Sequence, residues 1–382
     1  MRIGLVTGEY PPMEGGVGAF TRELARALVA LGHPVYVFTR AEAQGASEPG
    51  IEVSAAWRGV WNWRSITAIR RWAAEHRLDV VNIQFQTAAY NMHPAIHWLP
   101  ARLSEARTVV TFHDLRVPYL FPKAGPVREW VVRRLACTAD GVITTNRADE
   151  MRLRSEWNIA PLALIPIGSN VRTDPPPGYR RDEWRARHGI APGDLLISYF
   201  GFLNESKGGL VLVEALARLV ERGIPARLVM MGGRAGASDP TNLAYGERVD
   251  ALIERHGLAE RIIWTGFVDD AQITAHFLAS DVTALPYLDG VSLRRGTLMA
   301  ALAHGRAIVT TEPEVPEPEL KGVVETIPAG DADALAAAIE RVWRDDARRI
   351  ELERAALEAS AAFRWETIAE RTAAFFESLC RG

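Results

Sequence analysis

Residues 195–210 have the sequence LLISYFGFLNESKGGL, and this stretch decides the expected fold. Its first six residues are almost all apolar or aromatic, which is typical of a strand buried in a parallel sheet. A helix is predicted from Leu210, and the turn between the two elements contains glycines and Lys207. A strand, a turn and a helix in this order form the repeating unit of a parallel sheet covered by helices.

The same unit recurs along nearly the whole chain of 382 residues. In the first half, strands are predicted near residues 3–7, 35–39, 80–84, 108–112, 141–145 and 162–167. In the second half, they are predicted near residues 195–200, 227–231, 262–264, 282–284 and 307–310. The fold class is therefore α/β, and the length suits two doubly wound, Rossmann-like parallel-sheet domains that face a shared cleft.

An irregular segment separates the two halves. Residues 170–194 contain Pro175-Pro176-Pro177-Gly178, and because proline-rich stretches are stiff connectors, a linker with a hinge role is predicted here. The expected domains are residues 1–175 and 176–362, with residues 363–382 as a further helix. Asp331 and Asp333 open a helical run and are interpreted as helix caps rather than metal ligands.

The composition excludes several classes of protein. With 48% hydrophobic residues, 24% charged residues and a net charge of -3, the chain is typical of a soluble globular protein and gives no signal for nucleic-acid binding. Cys137 and Cys380 are its two cysteines, so neither a disulfide framework nor a cysteine zinc site is expected. No signal peptide and no membrane-spanning run of roughly 18 apolar residues are expected. The expected location is cytoplasmic, with peripheral contact at the inner face of the membrane left open.

The first predicted strand leads into a glycine-rich loop, residues 8–18, and then into a helix. Gly15 and Gly16 allow close approach of the backbone to a ligand, and a helix N-terminus offers unpaired N–H donors to an anion. A glycine-rich turn without a ligand is an equally good interpretation. The loop lacks the G-x-G-x-x-G pattern, and no acidic residue ends the next strand, which disfavours a nicotinamide enzyme.

Lys207 is one of only three lysines, with Lys123 and Lys321. Its place between a strand end and a helix N-terminus suits an ammonium that neutralises a departing diphosphate, because growing negative charge is what such a site stabilises. The alternative is a solvated loop lysine.

The segment from Gly201 to Gly209 resembles the G-R-L-x-x-x-K-G motif of the retaining glycosyltransferases of family four (group 1), which have the two-domain GT-B fold. Further stretches are similar to motifs of this family in the same order along the chain. They are residues 10–18, 111–114, 165–168, 231–233, 265–267 and 363–365. The order of these motifs, more than any one of them, carries the resemblance.

The resemblance implies a nucleotide-diphosphate sugar held mainly by the second domain, an acceptor held mainly by the first, and a last helix that returns to the first domain. It implies that Lys207 contacts the diphosphate, that Gly16 approaches the phosphate or the transferred sugar, and that His113 hydrogen-bonds this sugar. It implies no cofactor besides this co-substrate and no essential metal ion. The predicted donor-binding residues are Gly15, Gly16, Gly201, Phe202, Gly232, Gly266, Phe267, Asp289, Ser292, Gly296 and Thr297.

The sequence also departs from the family pattern. The arginine of G-R-L is Phe202 here, and the family's paired glutamates fall either at Ser292 and Ala300 or at Asp289 and Thr297, depending on the alignment. We hypothesise that Arg294 and Arg295, just before a predicted helix, replace the missing arginine through bidentate contacts to phosphate oxygens. The alternative is a pair of solvated surface arginines.

Two stretches are candidates for the acceptor side. Residues 57–64 contain Trp61 and Trp63, which suit stacking on sugars or contact with a lipid interface, although packing against the sheet is an alternative. Glu14 and Asp114 are further predicted acceptor contacts. A basic group surrounds the apolar residues 117–121 and suits a membrane surface, with a solvated helix face as the alternative. Its members are Arg116, Lys123, Arg128, Arg133 and Arg134.

The function predicted from the sequence is a retaining, metal-independent glycosyltransferase. It moves a sugar from a nucleotide diphosphate to a hydroxyl of a glycan, lipid-linked or small-molecule acceptor, with Lys207, His113, Arg294 and Arg295 as catalytic residues. A sugar-nucleotide epimerase of the same architecture and a non-catalytic glycan- or nucleotide-binding protein remain as alternatives. The sequence does not encode the base, sugar, linkage or oligomeric state.

Overall fold

The chain folds into two units, each built around one parallel sheet. A computed structural model describes residues 1–13, 15–115, 125–233 and 240–381. The first unit comprises Met1–Asn170 with Phe363–Gly382, and the second comprises Val171–Ala362.

The first unit contains a seven-stranded sheet in the order β3-β2-β1-β4-β5-β6-β7. Its strands are β1 (Ile3–Thr7), β2 (Val35–Arg40), β3 (Ile51–Trp57), β4 (Val80–Phe85), β5 (Arg107–Phe112), β6 (Gly141–Thr144) and β7 (Leu162–Leu164). All five residues of β1 are buried, because this strand is paired on both sides and covered by helices on both faces. The helices of the first half are α1 (Gly16–Ala30), α2 (Trp63–Glu75), α3 (Gly125–Thr138) and α4 (Arg147–Ser155).

The second unit contains a six-stranded sheet in the order β10-β9-β8-β11-β12-β13. Its strands are β8 (Leu195–Phe200), β9 (Ala226–Met231), β10 (Ile262–Gly266), β11 (Val282–Leu285), β12 (Ile308–Thr311) and β13 (Glu325–Ile327). Its helices are α5 (Arg181–Arg187), α6 (Gly209–Glu221), α7 (Pro240–Arg255), α8 (Asp270–Ala279), α9 (Gly296–Ala303), α10 (Ala332–Arg344) and α11 (Asp346–Ser360). All pairs in both sheets are parallel, so the carboxyl ends of the strands in each sheet meet at one edge.

The last helix, α12 (Trp365–Cys380), lies in the first unit. The Trp365 ring meets the Phe20 ring of α1 with 5.2 Å between centroids. The Trp365 indole N–H donates to the Ser169 carbonyl oxygen at 2.7 Å. The last helix therefore packs against α1 in the first unit, although it follows the second unit in the sequence.

The predicted fold class is confirmed: the structure contains two α/β units with parallel sheets. Helix α5 lies within the segment predicted as a linker, residues 170–194, and belongs to the second unit, so this segment is not irregular along its whole length. Trp184 of α5 is 5% exposed, and the Arg185 guanidinium donates to Asp281 at 3.1 Å. The capping role of Asp331 is confirmed by its hydrogen bond from the Ala334 backbone N–H at 2.8 Å.

Candidate active site

Three glycines end three neighbouring strands of the second sheet. Gly201 follows β8, Gly232 follows β9 and Gly266 ends β10, and their φ angles are +120°, +119° and +63°. A Cβ on Gly232 would lie 3.1 Å from the Gly201 backbone, and a Cβ on Gly201 would lie 2.8 Å from the Lys207 ammonium nitrogen. Positive φ and close backbone approach both favour glycine here. The ends of these strands therefore form a bare backbone edge next to Lys207.

Lys207 ends a short 3-10 turn, Glu205–Lys207, which Asn204 caps by accepting from the Lys207 backbone N–H at 3.1 Å. Its ammonium nitrogen lies 5.9 Å from the centroid of the Phe202 ring. Burial, and then the charge of Arg295, lowers the pKa of Lys207 to about 8. Over the described parts of the chain, no carboxylate pairs with this ammonium. Lys207 is therefore a largely desolvated cation and not a solvated loop residue.

Arg294 and Arg295 lie just before α9 and both contact Asp289. The Arg294 guanidinium donates to Asp289 at 3.2 Å, and Arg295 forms an ion pair with the same carboxylate. The two arginine side chains are only 13% and 14% exposed, so the interpretation as solvated surface arginines is wrong. The Arg295 guanidinium also lies 4.7 Å from the centroid of the Tyr287 ring. One carboxylate and one aromatic ring thus hold Arg295 close enough to Lys207 to affect its pKa.

The first turn of α9 also lies beside Gly201. The Thr297 hydroxyl lies 2.6 Å from the Tyr287 hydroxyl, and the Thr297 methyl carbon lies 2.8 Å from the position of a Cβ on Gly201. Gly296 faces open space. The Ser292 hydroxyl is buried, and within the described residues it has no hydrogen-bond partner. The structure thus brings Gly201, Lys207, Arg295 and Thr297 together.

An aromatic pair lies beside this group of residues. Phe202 is 37% exposed and Phe267 is 68% exposed, and their ring centroids are 5.4 Å apart. A Cβ on Gly233 would lie 2.9 Å from the Phe267 ring, so the strand end leaves room for the pair. Exposed aromatic rings next to a desolvated ammonium suit a ligand that has an aromatic base and a charged group.

In the first unit, the glycine loop differs from the sequence prediction. The Glu9 carboxylate accepts hydrogen bonds from the Val17 and Gly18 backbone N–H groups at 3.0 and 3.2 Å, so these donors of α1 are not available to an external anion. A Cβ on Gly15 would lie 2.1 Å from the Glu9 carboxylate, whereas Gly16 faces open space. Burial is the main cause that raises the pKa of Glu9. Of the two predicted glycines, Gly15 accommodates Glu9 and Gly16 retains room for a ligand.

His113 follows β5 and lies in a polar row that crosses the sheet. Its Nε2 lies 2.9 Å from the Gln84 side-chain oxygen, and the Gln84 amide donates in turn to Asn82. This arrangement places the proton of His113 on Nε2 and leaves Nδ1 as an acceptor. Burial lowers the pKa of His113 to about 3, so the ring is neutral at physiological pH. Asp114 comes next along the chain and is partly buried.

The predicted acceptor tryptophans have different environments. Trp61 is fully buried, with its ring 5.0 Å from Tyr90, so the acceptor prediction for Trp61 is wrong and the packing alternative is right. Trp63 is 47% exposed. The predicted residue Glu14 and the basic residues Arg116 and Lys123 lie outside the described residues, and the structure does not describe the side chain of Arg128.

Sequence reasoning missed Glu9, Gln84 and Tyr287, each of which fixes a predicted site residue. The signal for Glu9 was present, since it is a carboxylate near the start of the glycine-rich loop, but its hydrogen bonds depend on how the loop folds back. The described residues contain no group of three or more histidine, cysteine, aspartate or glutamate side chains arranged to hold a metal ion. Over the same residues, no helix has the length and apolar character needed to cross a membrane.

Solved structures with this architecture support the assignment of the fold. Sucrose-phosphate synthase from Thermosynechococcus elongatus superposes with a TM-score of 0.76 at 22% identity, covering 99% of each chain. Anabaena Alr3699/HepE in complex with UDP and glucose superposes with a TM-score of 0.76 at 18% identity, covering 99% of this chain and 100% of that one. The protein therefore has the GT-B fold of glycosyltransferases.

Family models identify the group. A glycosyl transferase 4-like domain matches residues 15–168, and the model of glycosyl transferases group 1 matches residues 194–345. The chain belongs to the group 1, family-four glycosyltransferases, and the protein is a glycosyltransferase.

Similar proteins of known name extend over the whole chain. D-inositol 3-phosphate glycosyltransferase of Corynebacterium diphtheriae is 27% identical over 407 residues, covering 97% of this chain and 93% of its own length. Phosphatidyl-myo-inositol mannosyltransferase of Mycobacterium leprae is 25% identical over 405 residues, covering 99% of this chain and 97% of its own length.

Proposed function

We propose that the protein transfers a sugar from a nucleotide-diphosphate sugar to a hydroxyl group of an acceptor. The observation that carries this proposal is the half-buried side chain of Lys207 at the carboxyl edge of the second sheet, with its ammonium beside Gly201 and close enough to Arg295 for the two charges to interact. Lys207 and Arg295 are neighbouring cations, and Asp289 is a carboxylate that contacts both Arg294 and Arg295, so we propose that the site offers positive charge to a diphosphate. Negative charge grows on the departing diphosphate in the transition state, so cations that are already in place lower the barrier.

Arg295 supplies the second cation that the family's arginine would provide at the position of Phe202. Its guanidinium is held by Asp289 and Tyr287, so it needs little reorganisation when a phosphate arrives. Its Nε is buried, and in the described residues it has no hydrogen-bond partner, which leaves a donor for an incoming oxygen. Arg294, on the other side of Asp289, assists by sharing this carboxylate. The two cations make a divalent metal ion unnecessary, and no further cofactor is proposed.

Phe202 and Phe267 bind the nucleobase in this proposal. The two rings are exposed, and their centroids are 5.4 Å apart. The Lys207 ammonium nitrogen lies 5.9 Å from the Phe202 centroid, so the rings are close to the proposed diphosphate contact. Stacking on aromatic rings contributes binding without selecting one base, so the rings bind a purine or a pyrimidine. Gly232 and Gly266 allow the base to approach the backbone between them.

His113 orients the transferred sugar as a neutral acceptor. Its Nδ1 accepts a hydrogen bond from a sugar hydroxyl because Nε2 is engaged with Gln84. With a pKa of about 3, the ring is not a general acid at neutral pH. No protein nucleophile is proposed, and retention of the anomeric configuration is proposed from membership of the family.

The acceptor is proposed to be a polyol, a glycan or a lipid-linked sugar. The relatives in Corynebacterium diphtheriae and Mycobacterium leprae have names that specify D-inositol 3-phosphate and phosphatidyl-myo-inositol. Inositol 3-phosphate and phosphatidylinositol are therefore the first acceptors to test.

The test has two stages. Thermal shift with UDP, GDP and ADP and their sugars identifies the donor, because a ligand that binds the native state raises Tm. Release of the nucleoside diphosphate is then followed with and without each acceptor, with EDTA present in a parallel series, and the anomeric configuration of the product is read by NMR. Acceptor-dependent release that survives EDTA supports the proposal.

Other results identify the alternatives. Release of a free sugar without acceptor, together with epimerised product, would indicate the epimerase. Nucleotide binding without any release would indicate a non-catalytic binding protein.

A further inference from the structure

Three tryptophans from separate parts of the first unit form a connected row at its surface. Trp63 begins α2, Trp98 ends a 3-10 turn, and Trp130 lies in α3. Their ring centroids are 5.3 Å apart between Trp63 and Trp98 and 6.0 Å apart between Trp98 and Trp130. Trp63 is 47% exposed and Trp130 is 55% exposed. The three tryptophans are far apart in the sequence, and the fold brings them into one surface.

Two guanidinium groups cover this row. Arg102 lies 5.5 Å from the centroid of the Trp63 ring, and Arg134 lies 5.3 Å from that of Trp98. We call these two arginines and the three indoles the tryptophan surface. Within the described residues, neither arginine pairs with a carboxylate, and the neighbouring acid Glu129 already pairs with Arg152 at 3.2 Å. Among the described residues, no carboxylate therefore neutralises the positive charge of these two arginines.

Apolar side chains extend the same surface. Val60, three residues before Trp63, is 55% exposed, and Val127 is 62% exposed one helical turn before Trp130. Exposed valines and tryptophans, together with arginines that have no carboxylate partner among the described residues, are unusual on a surface that meets only water. Indoles favour the boundary between headgroups and acyl chains, and arginines favour anionic headgroups.

We propose that the tryptophan surface docks on a lipid bilayer that contains anionic headgroups. The geometry disfavours a carbohydrate as its occupant: the indoles meet at interplanar angles of 71° and 64°, and guanidinium groups cover one face of Trp63 and one of Trp98. A sugar stacks on an open ring face, and in two of the three indoles a guanidinium group already occupies one face. The inference deepens the proposed function, because it favours a lipid-linked acceptor, but it requires no donor chemistry.

The experiment measures binding of the full chain to vesicles without any nucleotide. Sedimentation is compared for vesicles of phosphatidylcholine alone and for vesicles of phosphatidylcholine with one third phosphatidylglycerol, at low and high salt. The expected result is binding to the anionic vesicles that salt weakens. A Trp63→Ala/Trp130→Ala double variant and an Arg102→Gln/Arg134→Gln double variant should each bind at least tenfold more weakly.

The matched control is Ile350→Ala/Leu357→Ala, which removes two exposed apolar residues of the second unit, 60% and 52% exposed. It should bind vesicles as the unaltered protein does. Affinity for a nucleoside diphosphate, measured on every variant, reports folding independently of the surface. Should either double variant lose its fold, Val127→Ser removes one exposed apolar group and should still weaken vesicle binding.

The proposal is overturned if the anionic vesicles do not bind the protein, or if the variants bind them as well as the unaltered chain. Binding of a soluble oligosaccharide that the tryptophan variant abolishes, with no vesicle binding, would assign the surface to carbohydrate instead. Because vesicle binding and diphosphate release are separate measurements, loss of one leaves the other proposal intact.

Discussion

The buried ammonium of Lys207 predicts that affinity for a nucleoside diphosphate falls steeply above pH 8. Burial and Arg295 lower the pKa of Lys207 to about 8. From this value, about nine-tenths of the lysine is charged at pH 7 and about 3% at pH 9.5. If the anion binds only the charged form, its affinity at pH 9.5 should be about 30-fold lower than at pH 7.

Isothermal titration calorimetry with the diphosphate chosen by thermal shift measures this effect. At pH 8.5, titrations in two buffers of different ionisation enthalpy should show uptake of about 0.75 proton per bound diphosphate, because binding restores the charged form. Lys207→Arg keeps a permanent charge and should give a flat profile. Lys321→Arg, at an exposed position, is the matched control and should preserve the profile of the unaltered protein. An affinity that is constant from pH 7 to 9.5, without proton uptake, would refute the contact between this ammonium and the diphosphate.

The same lowered pKa has a consequence for stability. Between the folded pKa of about 8 and the unfolded value of 10.5, the unfolded chain binds more protons, so the free energy of unfolding should rise with pH across this window. The gain is at most about 3 kcal/mol. Lys207→Met should remove this rise and should increase Tm at pH 7, where the unaltered protein retains a desolvated charge. Chemical denaturation of both proteins at pH 7 and pH 10 measures the difference.

Other substitutions test the remaining parts of the site. Arg295→Gln should weaken diphosphate affinity at least tenfold and move the pH midpoint of Lys207 upward, since a like charge is lost; an unchanged midpoint in the same calorimetric profile would contradict this coupling. Phe202→Arg should strengthen binding of inorganic pyrophosphate and weaken binding of the nucleoside; the two affinities, measured separately, should not change together. Glu9→Gln should lower the free energy of unfolding by about 1–2 kcal/mol, because the N-terminus of α1 loses a charged acceptor, and a denaturation midpoint equal to that of the unaltered protein would argue against this cap. Acid should destabilise the protein as pH falls below about 6.5, by at most about 2 kcal/mol per group at pH 5, because three histidines are held neutral by burial; a free energy of unfolding that stays level between pH 7 and pH 5 would contradict it. They are His97, His113 and His276, with pKa values lowered to about 4, 3 and 4.

The sequence was sufficient for most of the fold because the central strands are continuous apolar runs. Strand β8 is buried over five of its six residues, so its composition alone identifies it. Strand β3 was missed because it lies at the edge of the first sheet and only its first residue, Ile51, is buried, so it lacks a continuous apolar run. Strand β13 was missed because it has only three residues. Edge strands obtain much of their definition from their neighbours, which a local pattern does not contain.

Helix α5 was missed for the same reason, because the contacts that stabilise it lie outside its own segment. Its segment, RDEWRAR, follows a proline-rich stretch and has little apolar periodicity, so the sequence predicted a connector. The helix is fixed by long-range contacts: the Arg185 guanidinium donates to the carbonyl oxygens of Ala279 and Asp194 at 2.9 and 2.6 Å. Partners 94 and 9 residues away determine this helix, and a window of local sequence contains only one of them.

Residue types at strand ends were predictable, but their partners were not. The sequence suggested a ligand site at these strand ends. Close approach of a ligand to the backbone favours glycine, and Gly201 and Gly232 also have positive φ angles. The ion pairs of Asp289 with two arginines could not be predicted, because the sequence pattern of these three residues is the same whether they contact each other or only water. The sequence therefore proposed candidate residues, and the fold determines which neighbours each of them contacts.

The structure also distinguishes between the two alignments of the family's missing glutamates. Ala300 is fully buried within α9, so a carboxylate at that position would face the core without a partner. Thr297, one turn earlier, lies next to Gly201 and Lys207, and Asp289 holds the two arginines. The alignment through Asp289 and Thr297 is therefore the one that faces the site. It retains one acid and exchanges the other for a hydroxyl, and the site loses a negative charge beside Lys207. The replacement of the family's arginine by Phe202 removes one positive charge, and Arg295 is the cation that we propose takes its place.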